Sequence, residues 1–323
     1  MRRRDFLSLF GGAALAWPQA VQAQQPALPL VGMLLVFPPE AGKTFTEPIR
    51  AFMQALGYIE GRTVAFDFRH ADGQVEKLPG LAADLVARRP AVISTFGDAT
   101  ARAAQVATTT IPIVAMSEDL VRAKLVLNLT RPEGNTTGVS IMGTELDAKR
   151  LELLAELLPP RSTVMLLADS STHRESRPAV QAAAQTLGMT LQEAIVSTPD
   201  DVERALRNAR QRGMAGVNVL SSAFLFAQRG RIIKLAAELG LPVIYQWPET
   251  TEEGGLMAYG PSLHGAFRQV TTLVVKVLQG RKPGELPVEQ PTRFALYLNL
   301  RTARALNLTI PPLVLLRADK TIE

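Results

Sequence analysis

The sequence predicts an α/β protein of two lobes, each a parallel β-sheet wrapped by helices. Three observations carry that expectation. Short apolar runs bounded by Gly or Pro alternate with stretches whose apolar residues recur every three or four positions, the patterns of buried strands and amphipathic helices. The alternation is broken near residues 140–144, 259–262 and 282–292. The chain is 323 residues long, and a chain of that size usually divides into two cores.

The elements follow in order. Residues 28–37 are a continuous apolar run and read as a buried strand. Phe45, Ile49, Phe52, Met53 and Leu56 mark a helix that Gly57 closes. Residues 63–68 alternate as a strand, and Val75, Leu78, Leu81, Ala82, Leu85 and Val86 form a second helical stripe. A strand at 91–96, a small-residue helix at 99–107 and strands at 111–116 and 136–141 complete the first half. The second half repeats the rhythm: helix 146–158, strand 163–168, helix 178–187, strand 190–196, helix 202–212, strand 216–220, helix 224–239, strand 242–245 and strand 255–259. A helix at 267–278 ends at Gly280, a Pro/Gly linker follows, and a strand at 294–298 leads into a short helix at 302–306. Strands alternating with helices give parallel sheets with right-handed crossovers. The three irregular stretches let the chain pass between the lobes three times. The expected division is 27–142 with 260–283 in the N-terminal lobe, and 143–259 with 284–323 in the C-terminal lobe.

The first 23 residues stand apart. Arg2-Arg3-Arg4, an almost uncharged stretch at 6–17 and the small-residue end Gln22-Ala23 read as an export signal cleaved near Ala23. Arg3-Arg4 followed by Asp5-Phe6-Leu7 fits the twin-arginine pattern. The apolar run of about a dozen residues falls short of the ~20 needed to span a bilayer. The alternative is a retained apolar anchor. The expected location is therefore the periplasm, with no membrane insertion of the mature chain. This segment holds three Arg and one Asp, so its removal lowers the formal net charge from +5 to +3. Such a charge, spread along the helices, argues against a nucleic-acid partner. The chain has no Cys, which excludes disulfides, thiol nucleophiles and cysteine-ligated metals, and its three His residues show no metal spacing. No nucleophile elbow, phosphate loop or dinucleotide fingerprint occurs. Neither a metal nor a cofactor is implied, and no enzyme activity is expected.

In an open parallel sheet, ligands meet the loops beyond the carboxyl ends of the strands. That rule nominates Phe37 and Glu40 after the first strand, Thr95, Phe96, Gly97 and Asp98 after the third, and Ser117, Glu118 and Asp119 after the fourth. In the second half it nominates Asp169, Ser170, Ser171 and Thr172, then Ser221 and Ser222, then Tyr245 and Gln246 with Trp247 and Glu249, and finally Tyr259. Hydroxyls and helix starts suit a carboxylate, acidic groups suit an ammonium, and aromatics enclose an apolar body. Each also has a structural alternative. Ser170, Ser171, Thr172 and Asp98 fit as helix caps, and Trp247 and Tyr259 fit as packing.

The chain resembles the periplasmic substrate-binding components of ABC transporters, in the group that binds tryptophan and related aromatic amino acids. The likeness is carried by Gly57-Tyr58-Ile59-Glu60-Gly61-Arg62, Leu81-Ala82-Ala83-Asp84-Leu85-Val86, Ala107-Thr108-Thr109-Thr110-Ile111-Pro112-Ile113-Val114 and Arg131-Pro132-Glu133-Gly134-Asn135-Thr136-Thr137-Gly138-Val139-Ser140. Lys149-Arg150-Leu151-Glu152-Leu153-Leu154, Gly254-Gly255-Leu256-Met257-Ala258-Tyr259-Gly260 and the stretch from Pro311-Pro312 to Ala318-Asp319 extend it over nearly the whole chain. The resemblance implies a type I periplasmic binding protein fold, with two Rossmann-like lobes and three interlobe crossings. It implies a monomer that closes on a small-molecule ligand, an amino acid or a small aromatic or aliphatic carboxylate, and serves an inner-membrane ABC permease. It also implies ligand contacts at 95–98, 117–119, 169–172, Ser221, Ser222 and Tyr259. Phe96, Asp98 and Glu118-Asp119 depart from the small, less acidic residues common there. Two other functions fit the same sequence: an orphan or sensory binding protein serving a receptor, and an exported enzyme on the same scaffold.

Overall fold

A computed structural model describes residues 28–169 and 173–323, with side chains except at 144 and 173–176. Residues 1–27, which include the segment expected to act as an export signal, and Ser170, Ser171 and Thr172 lie outside the described residues.

The first half builds one sheet. Strand β1 (Leu30–Leu35) is nearly all buried, as its unbroken apolar run requires. Helix α1 (Pro39–Ala55) starts at a Pro, whose missing N–H costs nothing in a first turn, and buries Phe45, Ile49 and Met53. Strand β2 (Ala65–His70), helix α2 (Leu78–Ala87), strand β3 (Val92–Phe96), helix α3 (Asp98–Ala107), strand β4 (Ile113–Ser117) and strand β5 (Thr136–Ser140) follow. The five strands are parallel in the order β2-β1-β3-β4-β5.

The second half begins with helix α4 (Gly143–Ala155), strand β6 (Thr163–Asp169), helix α5 (His173–Leu187) and strand β7 (Thr190–Val196). Helix α6 (Pro199–Gln211) opens on a capping box of Thr198 and Asp201. That box satisfies two backbone N–H groups that a helix start would otherwise leave free. Strand β8 (Gly216–Val219), helix α7 (Ala223–Ala227), helix α8 (Arg229–Leu239), strand β9 (Val243–Tyr245) and strand β10 (Met257–Pro261) complete the repeat. The order β7-β6-β8-β9-β10 matches that of the first sheet, strand for strand. The single helix expected at 224–239 is two helices, because the backbone at Gln228 turns to ψ near 1°.

The chain then returns. Helix α9 (Leu263–Leu278) packs on α1 and on β3, β4 and β5, burying Phe267, Val270 and Val274 in the first lobe's core. Residues 286–289 stay with that lobe: Thr137 donates to the Leu286 carbonyl at 2.8 Å, and Glu289 bridges to Val139. The last passage therefore falls at 290–293, later than the Pro/Gly linker suggested. Strand β11 (Phe294–Asn299) joins the second sheet antiparallel to β10, followed by helix α10 (Leu300–Ala305), helix α11 (Pro312–Arg317) and edge strand β12 (Lys320–Ile322). The expected all-parallel second sheet thus gains a reversed edge. Among the described residues no helix is long and apolar enough to cross a membrane.

Candidate functional site

Both sheets point the carboxyl ends of their strands at one crevice, and the two lobes meet across it. After β3, Gly97 has φ +91°, a conformation that favours glycine. A Cβ there would lie 3.3 Å from the Ala223 Cβ of the opposite lobe. Phe226 on α7 enters the first lobe's aromatic cluster, edge-on to Phe45 at 5.7 Å, and Trp247 packs on it at 6.0 Å. Arg229 lies over the Phe226 ring at 4.4 Å and donates to Thr44 of the other lobe at 3.4 Å.

Between the lobes lies a cavity of about 330 Å³, within the range of small-molecule sites. The first lobe contributes Val36, Phe96, Gly97, Asp98 and Glu118, with Val75 and Glu76 from the turn after β2. The second contributes Asp169, Val196, Ser197, Ala223 and Phe224. A groove of about 470 Å³ on the first lobe's flank, around Lys124 and Leu127, involves that lobe alone and none of the nominated residues.

The polar lining is acidic. Asp98 opens α3 and accepts a hydrogen bond from the Ser117 hydroxyl. Burial pushes its carboxyl above the ordinary range, opposed by the Ser117 bond and by Arg102. Glu118 follows β4 and reaches across the crevice, where Gln246 Nε2 donates to its Oε2 at 3.3 Å. The same oxygen sits on the first turn of α4: a Cβ on Gly143 would fall 1.6 Å from it. Burial, reinforced by Asp147 and Asp98, raises the Glu118 carboxyl to about 8, against the pull of Arg150 and the Gln246 bond. Ser222 donates to Asp169 and caps α7 by accepting from the Leu225 N–H at 3.1 Å.

Beneath this lining Arg150, fully buried, ties the chain passages together. Its Nη2 donates to Asp147, to the Gly143 carbonyl at 2.8 Å and to Ser221 Oγ at 2.7 Å. Its Nη1 donates to the Tyr259 carbonyl at 3.0 Å.

Of the nominated residues, Phe96, Gly97, Asp98, Glu118 and Asp169 come together as cavity wall. Ser117, Ser222 and Gln246 stand one bond behind, holding Asp98, Asp169 and Glu118. The others lie elsewhere. Phe37 is core, stacked on Phe45 at 4.7 Å. Glu40 is on the exposed face of α1, paired with Lys43 at 2.7 Å. Thr95 is buried within β3, and Asp119 caps a turn through the N–H groups of Val121 and Arg122 at 3.0 Å. Ser221 serves Arg150, Tyr245 is core with its hydroxyl pKa pushed up by burial, and the Tyr259 ring packs on the second lobe's core. Sequence reasoning missed Val75, Glu76, Val196 and Ser197 because it left out the loops after β2 and β7. The rule about carboxyl ends applies equally to them. It missed Ala223 and Phe224 by stopping one residue short of α7.

A family model described as ABC transporter substrate binding protein matches residues 41–322. A tyrosine-binding protein of Clostridioides difficile is 25% identical over 268 residues, 80% of this chain and 76% of that protein. A conserved domain protein from Vibrio cholerae superposes with a TM-score of 0.80 at 26% identity, covering 91% of this chain and 99% of that one. An ABC domain from Streptococcus pneumonia in complex with L-Trp superposes at 0.79 with 22% identity, covering 90% and 100%.

Proposed function

Since the chain belongs to the family of ABC transporter substrate binding proteins and has the type I periplasmic binding protein fold, we propose that its interlobe cavity captures a small organic solute and that closure presents the loaded protein to an inner-membrane permease. The observation that carries this reading is the cavity wall, built from the strand ends of both lobes. A solute touching both walls makes its full set of contacts only when the lobes are together, so it shifts the population toward the closed form. The tyrosine-binding and L-Trp-bound relatives support an amino acid or a close relative of one. The N-terminal segment supports export and work in the periplasm, and the role is capture, not conversion.

The test is a melting-temperature screen of the chain lacking residues 1–23 against amino acids and small organic acids. A solute at 100 times its Kd stabilises the fold by about 2.7 kcal/mol. The expected hit raises the melting temperature, contracts the protein in X-ray scattering and is recovered chemically unchanged. An Ala223→Trp variant, which fills the cavity, should abolish the shift. Retained binding in that variant would move the site elsewhere, and conversion of the solute would make the protein an enzyme.

A further inference from the structure

We propose that strand β2 is a docking edge for a second copy of this chain: two molecules pair their β2 strands antiparallel about a twofold axis at Phe68, joining the two first-lobe sheets into one. The inference does not rest on the cleft reading above, and it departs from the monomer that the family resemblance implies.

Strand β2 ends the first sheet. Ala65 and Ala71 donate to the carbonyls of Pro29 and Leu35 at 3.0 and 2.9 Å, so the odd residues of the strand turn their backbone groups toward β1. The alternate residues of a parallel ladder turn theirs the other way. Those are Phe66, Phe68 and His70, and among the described residues no backbone group bonds to their N–H or C=O. All six residues of β2 are half-buried. An unpaired strand edge is a template for another strand.

The other edges suit a second copy less. Strand β5 is covered, since Glu289 bridges to Val139 and its carbonyl accepts from the Ser140 N–H at 2.9 Å. Strand β12 is three residues long. Strand β7 is long enough, but pairing it with itself over its full length sets Glu193 against Glu193, and Arg177 already holds that carboxylate at 2.7 Å.

The side chains fix the register. Outward-facing residues pair with outward-facing residues. A slip that sets Phe66 against Phe68 puts Asp67 against Asp67, and one that sets Phe68 against His70 puts Arg69 against Arg69. Only with Phe68 against Phe68 does Asp67 of each copy face Arg69 of the other, twice by symmetry. These are non-hydrogen-bonded positions, where facing side chains come closest and opposite charges favour pairing. Asp67 and Arg69 already share one face of the strand, bridged at 3.1 Å, with Arg88 behind Asp67 at 3.8 Å. On the other face Phe66 and Phe68 stack at 5.7 Å, with the Arg50 guanidinium 4.5 Å from the Phe68 ring. There the same register brings Phe68 to Phe68 and Phe66 to His70. Because β2 lies wholly in the first lobe, the pairing leaves both second lobes free to swing, and the antiparallel strands point the two clefts in opposite directions.

Sedimentation equilibrium on the chain lacking residues 1–23 tests this, at concentrations up to about 1 mM because an edge pair buries less than a standard interface. The expected result is a monomer–dimer equilibrium. Asp67→Arg and Arg69→Asp each set like charges face to face in a homodimer and should weaken it tenfold or more. Mixed one to one, the two variants restore both opposite-charge pairs, so their heterodimer should form at least tenfold more tightly than either homodimer. Amide exchange on the wild type reads the same edge without a substitution. As the concentration rises, exchange at Phe66, Phe68 and His70 should slow, while exchange at Leu191, Glu193 and Ile195 on β7 stays the same. A chain that remains monomeric throughout overturns the proposal. So does a dimer that leaves those three β2 amides unprotected, or a mixture of the variants that associates no better than each alone. If a variant fails to fold, the exchange measurement on the wild type decides.

Discussion

Raising the pH from about 4.5 toward 8 should progressively weaken closure of the cleft, and Glu118 is the group responsible. With the lobes together, burial, Asp147 and Asp98 hold its carboxyl near 8, against an ordinary value of 4.5. Separating the lobes removes the α4 surface and Gln246, and returns the group toward that ordinary value. An acid whose pKa is higher in the closed form holds its proton there between the two values. Closure is thus at full strength below about 4.5 and weakens by up to ~1.4 kcal/mol per pH unit as the pH rises. The loss is complete above about 8. Between pH 6 and pH 9 the linkage amounts to roughly 2.7 kcal/mol, or ~90-fold in the closing equilibrium, as an upper bound set by full return to 4.5 on opening. The assay is X-ray scattering of the ligand-free chain lacking residues 1–23 at both pH values, with Glu118→Gln measured alongside. The wild type should expand at pH 9, and the variant, which cannot ionise, should stay compact. An equal expansion in both proteins, or none in the wild type, would refute the reasoning.

Three other outcomes are expected. Phe226→Ala removes the edge-on contacts to Phe45 and Trp247; at ~0.5–1.5 kcal/mol for an aromatic pair beyond its buried area, calorimetry should show solute affinity falling several-fold or more. Arg150→Met removes the buried guanidinium from the Asp147 carboxylate, and breaking a buried ion pair costs ~3–5 kcal/mol, so chemical denaturation should show a loss of that order. Tyr259→Ala strips a ring from the second lobe's core and should cost ~3 kcal/mol on the scale of large-to-small core changes; an unchanged melting temperature with lost binding would place the ring in the site instead.

The first-lobe strands and the helix stripes were legible because period and burial coincide there: β1, β3 and β4 are apolar runs buried on both faces. Helix α11 and strand β12 were not, since three mostly exposed residues at a sheet edge carry no hydrophobic pattern. Strand β11 was visible as a strand, but its reversed direction depends on where the chain re-enters the lobe, which local pattern does not encode. The acidic heart of the site was visible as Asp98, Glu118 and Asp169, because the strand-end rule names positions. Whether a strand-end residue points into the crevice or into the core depends on pleat and neighbours. Phe37 and Tyr245 turned inward for that reason; Phe96, one strand over from Phe37, joins the same aromatic cluster on Phe45 and borders the cavity as well.

The three passages between the lobes have a mechanical consequence. A single linker would act as a swivel, leaving the halves free to twist as well as to bend. Three links, at 141–142, at 262 and at 290–293, stiffen the joint against torsion and sliding and leave bending as its soft mode. The proposed opening and closing would then run close to a single coordinate. One pair of fluorescent labels, placed on opposite lips of the crevice, would be enough to follow it.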